Sequence, residues 1–395
     1  MCRKSHRILA IVAETSAYRH ENETYIHSVF GRVVDALAQH YESVLLCVPT
    51  FFNDRKVFHD YLVQADNVQI APQPPYETSL EALLQPTAMA RAYSHTLQHA
   101  EDIFVRGMLP YSGLFYWLAR RYHRRPVHWI VGNPIALLLS HRRSGWIKDA
   151  LGLLYAYQDR HWTRIGRWLT DGAFLCNGDE LAQIYASRRT RAVVSSTITE
   201  DDFSFREDTC QDDPIRILFI GFVRPEKGLE YLIEALPKLK CGRPWLLTIV
   251  GSSAQHEQYR ARLDERIQEL GITSQIQWQG HVSHGLALWE YLRSHDVFVL
   301  PSLSEGTPRV LVEARANSLP VIATDVGGIP TSVINGFDGL LVPPKDPDAI
   351  ARALDKVMTQ DDLRRTLIRG GQQSARRLTI GCFVETVLNQ LRDKV

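Results

Sequence analysis

The sequence predicts an α/β protein built from two doubly wound, Rossmann-like domains. Three observations predict it. At 395 residues the chain exceeds what a single average hydrophobic core organises. Short β-branched runs alternate with amphipathic stretches in both halves, the pattern of parallel strands joined by crossover helices. Between the halves lies an acidic, turn-rich segment, Thr199–Pro214 (TEDDFSFREDTCQDDP), with little that could build a core. The domains are therefore expected at 1–200 and 214–378, with a linker at 201–213 and a C-terminal segment at 379–395.

In the first half, Ile8–Ala13, Val44–Val48, Glu101–Arg106, Val127–Val131 and Ala173–Cys176 read as strands. Ile26, Val29, Phe30, Val33 and Leu37 recur at helical spacing, and Leu114–Arg125 reads as a helix rich in Trp and Tyr with a basic end. The Pro-rich stretch Asn53–Pro86 has no clear period. In the second half the alternation restarts with strands at Ile215–Ile220, Leu246–Val250, Ile276–Gln279, Val297–Leu300, Val321–Ala323 and Leu340–Val342. The tail from Thr379 is helical, with Phe383, Val387 and Leu391 on one face. Two such domains place a ligand cleft at the carboxyl ends of their strands.

Composition narrows the function. A net charge of +1 argues against a dedicated nucleic-acid binder. The six cysteines are scattered, with no C-x-x-C pair, which favours a reducing, cytoplasmic setting and unligated thiols. The apolar run at Ile8–Ala13 reads as a buried strand rather than a leader, and no run has the length of a membrane span. The acid pairs Asp201-Asp202, Asp212-Asp213 and Asp361-Asp362 fall away from the motifs below, so no metal site is expected.

The densest motif is Pro301–Pro330. Glu305 and Glu313 flank a Gly306-Thr307-Pro308 turn between a strand and a helix. Thr307 is predicted as the N-cap and Pro308 as the first helical residue. Val310, Leu311 and Ala314 supply the apolar face. A helix start offers unpaired N–H groups to a phosphate, and carboxylates accept hydrogen bonds from sugar hydroxyls. The same pattern also describes a well-capped surface helix with two solvated glutamates. Upstream, Arg224 and Lys227 stand between a strand and a helix carrying Leu229, Leu232, Ile233 and Leu236. Two fixed cations there would stabilise a departing diphosphate, Arg as a fork and Lys as a point charge. A solvated Arg/Lys pair on a loop is the plainer alternative.

Read together, EGTPRVLVEA, LPVIATDVGGIP and the spacing G-x-x-R-x-x-K-G resemble the signatures of the retaining family 4 glycosyltransferases, which have the GT-B fold. The resemblance implies that Glu305 contacts hydroxyls of a donor sugar and Glu313 the nucleotide ribose. It assigns the turn amides of Gly306, Thr307 and Pro308 to the sugar and diphosphate, and Arg224 and Lys227 to the leaving group. LLTIVGSS, from Leu246, is similar to the glycine element lining the nucleotide pocket, which adds Gly251 beside Gly221. His281 and Val282 match a turn whose backbone reads the base edge, which leaves the base open. Gly327 and Gly328 are assigned a close backbone approach to the donor; the Glu that follows in many relatives is absent here, and Asp338-Gly339 starts the next matching turn. The tail helix is implied to cross back onto the first domain.

The first domain departs from the family pattern. Where relatives carry a Gly-Gly loop, this chain has Glu14–Asn22, in which Arg19 and His20 are candidates for acceptor or donor phosphate, and equally for a polar surface loop. Asn133, in the turn after the Val127–Val131 strand, is a candidate hydrogen-bonding group near the reacting sugar. His128 reads as packed within its strand, and Asn177 stands where relatives often have Ser. A basic, aromatic cluster comprises His141-Arg142-Arg143, Trp146, Lys148, Trp162, Arg164, Arg167 and Trp168. It fits an anionic lipid headgroup or a pyrophosphate-linked acceptor. It also fits a helix with its Trp residues in the core and its cations in water.

The resemblance implies transfer of a sugar, with retention, from a nucleotide-sugar to the hydroxyl of a saccharide or lipid-linked acceptor. It implies no metal and no other cofactor, and it allows peripheral contact with the inner face of a membrane. A nucleotide-sugar epimerase or hydrolase of the same fold, or a non-catalytic nucleotide-sugar-binding subunit, are the alternatives.

Overall fold

A computed structural model describes residues 5–53, 56, 59–140, 146–254 and 256–393. The chain divides into two compact units. One holds the residues up to Val193 together with those from Ile380 onward, and the other runs from Val194 to Thr379.

The first unit opens with β1 (Ser5–Ala13), β2 (Ala17–His20), β3 (Glu23–Ile26), α1 (Ser28–Ala38), β4 (Tyr41–Cys47), β5 (Thr50–Phe51), β6 (Tyr61–Leu62) and β7 (Val68–Ile70). There follow α2 (Ser79–Ala82), α3 (Pro86–His99), β8 (Asp102–Arg106), α4 (Ser112–Arg121), β9 (Val127–Ile130), α5 (Pro134–Ser140), α6 (Trp146–Thr170), β10 (Ala173–Asn177), α7 (Asp179–Ile184) and β11 (Thr190–Val193). Seven strands form a parallel sheet in the order β11-β10-β9-β8-β1-β4-β7. Strand β1 shows why its sequence is apolar almost throughout. Leu9, Ile11 and Ala13 face one core while Ala10 and Val12 face another, so both sides of the sheet are covered.

Two expectations change here. The segment Glu14–Asn22 leads into an antiparallel hairpin, β2–β3, which with β5 and β6 makes a second, four-stranded sheet. Ile26, whose spacing places it with α1, ends β3 instead, and the helix starts after His27, whose Nδ1 accepts from the Val29 amide at 3.3 Å.

The second unit contains β12 (Ile215–Ile220), α8 (Leu229–Ala235), β13 (Trp245–Val250), α9 (Glu257–Glu269), β14 (Ile276–Gly280), α10 (Leu286–Ser294) and β15 (Val297–Leu300). It continues with α11 (Arg309–Ala316), β16 (Val321–Thr324), α12 (Ile329–Ser332), β17 (Leu340–Val342), α13 (Pro347–Thr359) and α14 (Asp361–Arg376). Its parallel sheet has the order β14-β13-β12-β15-β16-β17. The chain then returns to the first unit as α15 (Ile380–Arg392), where Phe383, Val387 and Leu391 join the core beneath β1 and Phe383 packs on Trp129.

The acidic segment is not a free linker. Asp208 accepts from Arg364 at 2.6 and 3.1 Å and from Arg365 at 3.1 Å, and the Cys210 amide donates to Asp296 at 3.1 Å. Thr209 and Cys210 are buried. Burial alone would raise the Asp208 carboxyl, but the arginines and the Thr209 amide hold it below the ordinary carboxylate value. Two further acids of the segment are engaged, Asp202 accepting from Thr199 and Asp213 pairing with Arg243 at 2.8 Å, and Asp361 of α14 pairs with Arg364 at 2.8 Å.

A second buried ion pair sits deeper. Arg315 of α11, wholly buried, donates to Asp338 at 2.8 Å, to the Ser332 carbonyl at 2.6 Å and to the Leu311 carbonyl at 3.1 Å. Burial pulls its guanidinium below the usual value and Asp338 counters this. Asp338 also accepts from the Ile334 amide at 2.6 Å, so one pair ties α11 to the turn before β17. Asp338→Ala leaves the guanidinium unpaired and is expected to destabilise the fold by roughly 3–5 kcal/mol. Urea unfolding would read this; a loss below about 1 kcal/mol would show that the pair does not hold the turn.

Candidate functional site

In the second unit, five loops leave the carboxyl ends of β12 to β16 and carry the predicted donor residues. The chain runs outward from β12 through β13 to β14, then returns to the other side of β12 as β15. The loops after β12 and β15 therefore diverge at a topological switch point, where open α/β sheets bind ligands. Lys227 follows β12 and Glu305 follows β15. The structure brings them into direct contact across that point, each side chain nearly nine-tenths buried. Ser302, itself buried, donates to the same Glu305 oxygen at 2.9 Å.

Glycines make the loops fit. Gly228 has φ +62°, and a Cβ there would lie 2.2 Å from the Pro301 carbonyl oxygen. A Cβ on Gly251 would lie 1.8 Å from the Gly221 carbonyl oxygen. The Gly221 and Gly251 amides donate to Val250 and Gly280 carbonyls at 2.9 and 2.7 Å, joining the loops after β12, β13 and β14. Gly327 and Gly328 lie against the Glu305 loop: a Cβ on either would strike the carbonyl oxygen of Glu305 or Gly306, at 1.9 and 2.3 Å. Gly306 itself faces open space.

The cap of α11 differs from expectation. The helix begins at Arg309, with Pro308 in extended conformation (φ −72°, ψ 114°) as the capping residue. Thr307 lies one residue too early to cap, and its buried Oγ1 makes no hydrogen bond.

Glu313 is almost fully buried, and its Oε1 lies 3.1 Å from His284 Nε2. His284, in the loop after β14, stands edge-on to Trp289 and lies outside the family signatures, three residues past His281. Arg309 also faces Glu313; burial pulls its guanidinium down and the carboxylate counters this. His281 is exposed, while Val282 packs against the core of the unit. Arg224 lies 3.6 Å from Glu226 and about one-third exposed, with its Nε unbonded.

In the first unit the acceptor-side candidates are dispersed. Arg19, on β2, donates to Thr24 across the hairpin at 3.3 Å and lines a cavity of about 640 Å³. His20 is exposed at the hairpin end and stacks on Tyr18. Asn133 is occupied structurally: its Oδ1 accepts from the Ala136 amide at 3.2 Å and from Arg160 at 2.8 Å. Asn177 accepts from Trp129 Nε1 at 2.9 Å. His128 is packed as expected, bonded to Gly107 and Tyr116, with burial lowering it to about 4. Trp162 and Trp168 are exposed rather than in the core. His141, Arg142 and Arg143, and the side chains of Trp146 and Lys148, lie outside the described residues.

The switch point of this sheet, between β1 and β8, holds Glu14 against Gly107. Burial pushes the Glu14 carboxyl up, with Arg106 and the Met108 amide opposing. Nearby Asp159 of α6, buried, is pushed up to about 7 by desolvation against a hydrogen bond from Ser112, with Glu14 adding to the rise.

Known proteins share this architecture. The chain superimposes on Anabaena HepE, solved in complex with UDP, with a TM-score of 0.73 and 15% identity over 98% of this chain and 100% of that one. WaaG, a glycosyltransferase involved in lipopolysaccharide biosynthesis, gives 0.62 and 15% over 98% and 100%. At that identity the likeness establishes the fold, which is GT-B. Residues 200–374 match the profile of the glycosyl transferases group 1 family. Curated relatives include an uncharacterized glycosyltransferase of Methanocaldococcus jannaschii, 33% identical over 44% of each chain. The D-inositol 3-phosphate glycosyltransferase of Stackebrandtia nassauensis is 32% identical over 47% of this chain and 43% of its own. The glycogen synthase of Mycobacterium tuberculosis is 27% identical over 62% and 58%. The matches span about half the length of these relatives.

Asp159 supplies a pH prediction. Its carboxyl is higher in the fold than in the unfolded chain, so the folded state holds the proton while the unfolded state has lost it. Its contribution is most favourable below the unfolded pKa near 4 and is lost as pH rises toward about 7. Asp159→Asn should therefore gain roughly 2 kcal/mol on wild type between pH 5 and pH 8. An unchanged difference in urea midpoint at the two pH values would show an ionised Asp159.

Proposed function

We propose that the chain is a glycosyltransferase that moves a sugar from a nucleoside-diphosphate sugar to an acceptor hydroxyl with retention of configuration. The contact of Lys227 with Glu305 at the switch point carries this reading, because it sets a cation for the diphosphate beside a carboxylate for the sugar. The match of residues 200–374 to the group 1 family and the likeness to HepE, solved with UDP and UDP-glucose, support it. In this reading Arg224, Lys227 and the free amides at the start of α11 stabilise the diphosphate as it departs. Its oxygen takes the acceptor proton on the same face of the sugar. Glu313, steadied by His284, receives the ribose hydroxyls. The charge is met by side chains, so no divalent ion is required. The acceptor is a saccharide, free or lipid-linked, and peripheral membrane contact belongs to the same reading.

Glu305→Ala or Lys227→Ala is expected to lower transfer at least 100-fold with the circular dichroism spectrum unchanged, and chelator to leave the wild-type rate as it is. Proton NMR of the product should show the anomeric configuration of the donor. Near-normal rates in either variant would overturn the site, and inversion would overturn retention.

His284→Ala removes one partner of the Glu313 carboxylate and is expected to raise the donor KM roughly tenfold, the worth of one hydrogen bond to a charged group, with little change in kcat. His284→Gln, which keeps a donor, should recover most of it. Equal KM values in the three proteins would remove His284 from this role.

A further inference from the structure

Helix α6 carries an apolar stripe that the fold does not cover. Leu151, Leu154, Tyr157 and Trp168 follow one another at helical spacing and are roughly half to three-quarters exposed. On the same face, with α7 and β10, the helix borders a cavity of about 900 Å³. Its floor is apolar and includes the buried rings of Phe174 and Tyr185. Its rim carries Arg160, Arg164 and Arg167 with His161, and among the described residues no carboxylate lines it.

These cations are not spent on internal pairs. Among the described residues, Arg164 and Arg167 have no ion-pair or side-chain hydrogen-bond partner. Arg160 bonds neutral Asn133 and Tyr185. Asp159, the acid adjacent in sequence, turns inward to Ser112 and the Leu109 amide. Three guanidinium groups around a partly dry cavity repel one another and are stabilised by an anion. Two arginines of the same unit are by contrast paired with acids, Arg7 with Asp102 at 2.7 Å and Arg189 with Asp171 at 3.3 Å. A purely soluble anion would need the cations but not the exposed Trp and Leu beside them. An anionic bilayer needs both: guanidinium groups at the phosphate level and large apolar side chains at the acyl boundary.

We infer that this face of α6 docks the first unit on an anionic membrane, with a lipid phosphate seated in the arginine-rimmed cavity. The inference deepens the peripheral membrane contact of the proposed function and rests on that reading only where it favours the lipid-linked acceptor over the free saccharide.

Sedimentation of the full chain with vesicles tests it, using phosphatidylcholine alone and phosphatidylcholine with about 30% phosphatidylglycerol. The expected result is recovery with the anionic vesicles only. The double variant Arg164→Gln/Arg167→Gln should lower that partitioning roughly tenfold to thirtyfold, the loss expected for two cations at an anionic surface. Trp168→Ala should weaken it as well. Lys227→Ala should bind vesicles like wild type, so failure of the donor site and failure of the membrane face are read separately. Equal recovery on both vesicle types, or unchanged partitioning of the double variant, overturns the inference. So does binding of inorganic pyrophosphate at the cavity, lost in the double variant, without any vesicle affinity; that would mark a soluble-anion site.

Discussion

Backbone touching backbone is the constraint on which the second unit depends. At the carboxyl edge of its sheet, four glycines allow a carbonyl oxygen to occupy the space a side chain would fill. Gly228 admits Pro301, Gly251 admits Gly221, and Gly327 and Gly328 admit Glu305 and Gly306. These contacts bring the loops after β12 and β15 close enough for Lys227 to reach Glu305 over 78 residues of sequence. The pair is thereby withdrawn from water, where a lone ion pair is worth little.

Charge is handled differently in the two units. In the second, the buried cations have partners: Arg315 with Asp338, Arg364 with Asp208, Lys227 with Glu305. The first two pairs brace the scaffold, and the third faces the site. In the first unit the cavity beside α6 gathers cations and, among the described residues, no acid, and two carboxyls near the β1–β8 switch are held toward their neutral forms instead. The same chain thus keeps electrostatics balanced where it organises its loops and unbalanced on one outer face.

The sequence was most legible where local pattern and tertiary placement coincide. The parallel strands announce themselves because both faces are covered, so their runs are apolar throughout. Offsets from strand ends place Arg224, Lys227 and Glu305 on loops and Glu313 on a helix, but a solvated reading stayed open for each, and only the resemblance to the family signatures groups them as one site. Elsewhere the decisive partner is distant. Thr307 looks like a cap until Pro308 adopts an extended ψ and moves the helix start one residue on. The acidic segment looks like a linker because Arg364 and Arg365, which bind it, come more than 150 residues later. The β2–β3 hairpin carries polar side chains on a sheet too small to impose a clean alternation. His284 follows no motif, and only the folded loop sets it beside Glu313. Trp162 and Trp168 share a period with core residues, and the helical repeat alone does not say which face of α6 meets water.

The return of α15 to the first unit has a consequence for how the protein is made. The second unit is continuous in sequence and can close as soon as Thr379 has left the ribosome. The first unit cannot, because Trp129 and the underside of β1 wait for Phe383, Val387 and Leu391 to cover them. The half of the molecule that is synthesised first is therefore finished last, and a chain that stops short of residue 380 leaves that apolar surface open to chaperones and to other unfinished copies.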